Sequence, residues 1–163
     1  MPASLLDFYP GWEEHNRLLV TAIAPLTPDQ LWLAPAEGMW SVRRLANHII
    51  ANRSWWFHAW MGEGGDDLGR FVDYDDVEDA DTHDAGLIVR GLESTWSRLA
   101  ESLAGWTEKD LTATFKRPTP NAAGERPSRN RAFIIWHVAE HDVHHGGEIS
   151  LILGSQGLTG LDM

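Results

Sequence analysis

Four stretches of the chain carry apolar residues at helical spacing, and segments rich in glycine, proline or acidic residues separate them. The first runs from about Trp12 to Ala24, with Phe8, Trp12, His15, Leu19 and Ile23 on one face, and Pro25 ends it. Thr27 then serves as an N-cap with Pro28 at the first helical position, opening a short turn through Leu31. A second long helix is expected over Val42 to Met61, capped by Ser41. A third, capped near Asp81 or Thr82, runs to about Leu103 with Leu92, Trp96, Leu99 and Leu103 in phase. The fourth, capped by Ser128 or Asn130, is expected to end near Gly154, taken as the C-terminal glycine. Thr112 to Phe115 alternates and suits a short strand. The pattern predicts an all-α four-helix bundle, and the long connections before the third and fourth helices suit crossovers rather than an up-down meander.

At 163 residues the chain is expected to form one domain with a single core over 1–163. It contains no cysteine, which excludes disulfides, thiolate ligands and a cysteine nucleophile. With no basic leader and no apolar run of membrane-spanning length, a cytoplasmic protein is expected, without membrane contact. A net charge of −11 without a basic stripe speaks against nucleic acid. The acidic stretch from Glu63 to Asp84 has only Arg70 as a countercharge and reads as a solvated connection between bundle halves.

Half of the eight histidines fall between Trp136 and Glu148 on the fourth helix, a density that points to a metal. Both His137/His141 and His141/His145 have the four-residue spacing that puts two imidazoles on one helical face. Phase separates the pairs. With His137 at zero, Ile134, Val138, Ile149 and Ile152 fall at about 60–120°, and His141 and His145 lie at about 40° and 80°, within that apolar stripe. His137 sits at its margin and His144 outside it. Buried imidazoles need partners, and a shared ion would satisfy both. On the second helix His48 occupies the face of Leu45, Ile49, Asn52 and Trp56, whereas His58 does not. Packed helices can bring His48 opposite His141 and His145, leaving an open coordination position. Asn52 is a candidate partner for the other nitrogen of a ligand, His15 a candidate for lining the site, and Trp56 the best pocket aromatic among nine tryptophans.

The blocks Trp40 to His48 and His141 to Glu148 resemble the signature of the DinB/YfiT-like superfamily: a histidine on the second helix, and HxxxH followed by Arg-Gly-Gln on the last. The resemblance covers most of the chain, implies the same bundle, and maps the family's three metal ligands onto His48, His141 and His145. Here Gly146-Gly147-Glu148 replaces Arg-Gly-Gln. Glu148, one turn beyond His145, is a candidate fourth ligand, base or partner of a ligand, and is taken as the candidate catalytic residue.

Imidazole ligands suit zinc or nickel foremost, with iron, manganese or copper as alternatives. The resemblance implies a metal-dependent transferase or isomerase that uses a low-molecular-weight thiol with a small-molecule substrate, and a homodimer. Two other classes compete. One is a hydrolase, for which His137 to His141 also matches HxxEH, although phase puts Glu140 off the core face. The other is a metal- or ligand-binding bundle without turnover.

Overall fold

The computed structural model describes residues 3–161. Its long helices are α1 (Pro10–Ile23), α3 (Val42–Ser54), α5 (Ala85–Gly105) and α6 (Arg131–Ser155), with short helices α2 (Pro28–Leu31) and α4 (Gly65–Gly69) between them. Strands β1 (Thr114–Lys116) and β2 (Ser128–Asn130) pair antiparallel, Phe115 opposite Arg129, in the connection before α6. Among the described residues no helix is long and apolar enough to cross a membrane.

Side-chain caps set the starts of α2, α3, α5 and α6. Thr27, Ser41 and Asn130 accept from the backbone N–H groups of Gln30, Arg44 and Phe133. The third long helix starts later than its pattern suggests: Ala80–Thr82 forms a separate 3₁₀ turn, and Asp84 is the residue whose carboxylate takes the Leu87 N–H at 2.7 Å. The last helix passes through Gly154, and the left-handed glycine after it is Gly157, with φ 71°.

The expected single helix over Val42 to Met61 changes its winding at Trp55. Residues Trp55–Trp60 are π-helical, so phases counted from His48 hold only as far as Ser54.

In the bundle α1 packs on α5 and α6, and so does α3, while α1 and α3 do not pack along each other. The chain therefore crosses between non-adjacent positions before α3 and before α6. The long acidic connection joins neighbours. The core has two apolar halves. One gathers Leu19, Ile23, Ile49, Leu92, Ile149 and Leu153, the other Trp12, Phe57, Leu99, Leu103, Ile134 and Val138. On every long helix the polar residues of a buried layer lie between the two sets: His15 and Asn16, Arg53, Thr95, and Asp142.

Candidate metal centre

The α3/α6 contact carries the site. His48 on α3 meets His141 and His145 on α6, with one donor nitrogen from each ring lying within 4.8 Å of the other two. Ring centroids are 4.8 Å apart for His48/His141, 5.3 Å for His48/His145 and 4.4 Å for His141/His145. Farther along the contact Trp56 faces His137 at 4.6 Å, so the two helices run antiparallel.

Two of the three rings are held from behind by carboxylates. His48 Nδ1 donates to Asp75 Oδ2 at 2.6 Å, and His145 Nδ1 donates to Glu148 Oε2 at 2.6 Å. A carboxylate on Nδ1–H leaves the Nε2 lone pair free for an ion. The third ring, His141, has a buried Nδ1 without a hydrogen-bond partner. Burial, reinforced by the imidazoles of His145 and His48, takes the His141 pKa down to about 3. The ring is therefore neutral at physiological pH, the form that binds metal. An orphaned buried nitrogen, two outward-braced rings and an all-imidazole donor set fit a divalent ion.

Trp40 closes one side, its ring edge-on to His48 at 5.0 Å and stacked on His145 at 6.0 Å, with the Arg44 guanidinium 4.6 Å from its centroid. Beside it a cleft of about 300 Å³ is lined by Pro35, Met39, Trp40, Leu45, His145, Glu148 and Ile152. The sequence pattern points instead to Trp56, which stacks on Trp60 at 4.3 Å and reaches His137 rather than the triad.

Other candidates take different places. Asn52 makes no bond to His48, whose Nδ1 belongs to Asp75, and its own Nδ2 is buried without a partner. His15 is a core residue, its Nε2 bonded to the Asp142 carbonyl at 2.9 Å. It also lies against Gly146, which stands where the pattern has arginine: a Cβ there would be 2.5 Å from two atoms of the His15 ring, so a side chain would require that buried ring to move. Glu140 is exposed and His137 lies between Trp56 and Phe133, so HxxEH does not assemble. Glu148 braces His145, and its second oxygen lies 3.9 Å from His144 Nε2.

Asp75 and the Arg53–Asp142 pair lie outside the residues to which the sequence pattern points. Nothing in the sequence marks Asp75 among its acidic neighbours. For the pair a signal existed, since Arg53 and Asp142 both fall at about 140° on wheels counted from His48 and His137, at the edge of the apolar face.

Burial holds the pKa values of His15, His83, His137 and His145 below the ordinary 6.5, as it does for His141. The unfolded chain takes up protons at these groups as pH falls through about 6.5, while the folded protein takes them up only at lower pH. Stability of the metal-free protein is therefore expected to decline below pH 6.5, that loss continuing toward about pH 3 for His141. Urea midpoints measured at pH 7.5 and 5 check this; equal midpoints would contradict it.

Fold and site together define a helical-bundle protein with a candidate three-histidine metal centre. The chain belongs to the DinB family, whose model matches residues 1–163. A crystal structure of a DinB-like protein from Bacillus cereus superposes with a TM-score of 0.73 at 21% identity, covering 100% of this chain and 99% of that one. Among curated proteins no match is found.

Proposed function

We propose that this protein binds one divalent ion through His48, His141 and His145 and acts as a transferase or isomerase that uses a low-molecular-weight thiol. The observation that carries the reading is the convergence of three imidazole donors from two helices within 4.8 Å, two of them braced by carboxylates. These three imidazoles would hold a divalent ion, which when bound would supply the positive charge that favours a thiolate at neutral pH.

The chain's own residues do the rest. Asp75 and Glu148 fix the tautomer and aim of His48 and His145. Trp40 covers the ring pair and excludes water from that side. Pro35, Met39, Leu45 and Ile152 offer an apolar wall against which the small-molecule acceptor is held. With its carboxylate engaged by His145, Glu148 acts as a positioning residue in this reading rather than as a free base. A homodimer is part of the proposal, supported by Trp136, Val143 and Leu151, which α6 presents to solvent 66%, 56% and 71% exposed. The histidine centre lies within a single chain.

Elemental analysis of untagged protein from its native host should find one equivalent of zinc, nickel, iron or manganese per chain. Turnover of electrophiles should then require a thiol from a panel of bacillithiol, mycothiol and glutathione. Turnover independent of thiol would turn the reading toward hydrolysis. Metal without any turnover would leave a binding protein.

A further inference from the structure

We propose that Asp75 is a positioning residue that couples the acidic connection before α5 to occupancy of the centre. The inference rests on the metal reading above. The connection is pinned to the bundle on both sides of Asp75. Before it, Phe71 is buried, and Tyr74 packs against His83 with the rings tilted and their centroids 4.4 Å apart, and donates to the Leu87 carbonyl at 3.2 Å. After it, two residues of α3 grip the backbone: Arg43 donates to the carbonyls of His83 at 2.9 Å and Asp81 at 2.5 Å, and Asn47 donates to that of Ala80 at 3.0 Å. His83 Nδ1 returns a bond to Asn47 Oδ1 at 3.2 Å.

Between these anchors, residues 73–79 include Asp73, Asp75, Asp76, Glu78 and Asp79 and no lysine or arginine. Such a run repels itself and favours the solvated, open chain. Four of the five carboxylates are exposed. Asp75 alone turns inward, its side chain 21% exposed, and takes the Nδ1–H of His48 at 2.6 Å. A ligand ring that gives Nε2 to a cation becomes a stronger donor at Nδ1, so the ion tightens the bond that seats Asp75. Linkage makes the effect reciprocal: the factor by which a seated Asp75 strengthens metal binding is the factor by which metal favours the seated connection.

The test uses zinc chloride alone as the probe. Zinc affinity is read by competition with a chromophoric chelator, and amide exchange across 71–84 is followed with and without zinc. Asp75→Ala is expected to weaken zinc binding by about 10–100-fold, the usual cost of losing a partner behind a ligating histidine. Zinc should slow exchange of 73–79 in the natural protein and not in this variant. Asp75→Asn, which keeps an acceptor oxygen, should retain more affinity than alanine. Asp76→Ala, which removes an exposed neighbouring charge, should change neither readout. The proposal is overturned if Asp75→Ala stays within threefold of the natural protein, if Asp75→Asn is no better than alanine, if Asp76→Ala loses as much, or if zinc leaves exchange of 73–79 unaltered. Absence of any zinc binding by the natural protein would remove the metal reading itself and this inference with it.

Discussion

Replacing Arg53 with methionine is expected to lower the unfolding free energy by about 3–5 kcal/mol, the cost of leaving one member of a buried ion pair uncompensated. Both partners are wholly buried, with Arg53 Nη2 2.8 Å from Asp142 Oδ2. Arg53 Nε donates to the same oxygen at 2.8 Å, and Trp12 Nε1 donates to it at 2.7 Å. The remaining guanidinium nitrogen donates to Asn16 Oδ1 at 2.9 Å, the Leu92 carbonyl at 3.1 Å and Thr95 Oγ1 at 3.2 Å. One side chain on α3 thereby binds α1, α5 and α6 at the level that divides the two halves of the core. Methionine fills most of the space, so the loss reports the charge and its bonds more than a cavity. For a domain whose whole stability is about 5–15 kcal/mol, the deficit is large. Urea denaturation measures it. Arg53→Met combined with Asp142→Leu should recover part of the loss, because neither charge then remains, while the Trp12 N–H is still left unpaired. A single variant within about 1 kcal/mol of the natural protein would show that the pair does not hold the bundle.

Removal of the His141 imidazole, by His141→Ala, should abolish stoichiometric metal binding, whereas His137→Ala should leave it intact. His141 is central to the three-ring group, and its ring is kept neutral by burial. Its loss leaves two donors and should exceed the roughly 10–100-fold penalty of losing an outer partner. The metal-free protein should be little affected, since the ring has a buried nitrogen that bonds to nothing. Metal-dependent stabilisation, about 2.7 kcal/mol at a hundredfold excess over Kd, should therefore disappear from the His141 variant and persist in the His137 variant. Elemental analysis after gel filtration and melting curves with and without zinc give both readouts. One retained equivalent in His141→Ala would count against the assignment.

The four long helices, the cap at Ser41, the choice of Ser128 or Asn130 as the cap of the last helix, and the core-facing positions of His48 on one helix and His141 and His145 on another could all be read along the chain. Each depends on residues a few positions apart, and a helix converts such spacing into direction. The same arithmetic failed past Ser54, because the π-helical turn at Trp55–Trp60 alters the residues per turn, and it passed over Arg53 and Asp142 at the margin of their faces.

Contacts between segments remote in sequence were of another kind. Asp75 behind His48, Trp40 across both His48 and His145, and the His15 ring over Gly146 join residues that no periodicity relates. Local spacing decides which way a side chain points from its own helix. Which group it finds there depends on how the helices are laid against one another and where the connections return. That packing created the carboxylate brace behind His48, the wall of the cleft and the close approach of His15 that favours glycine after His145.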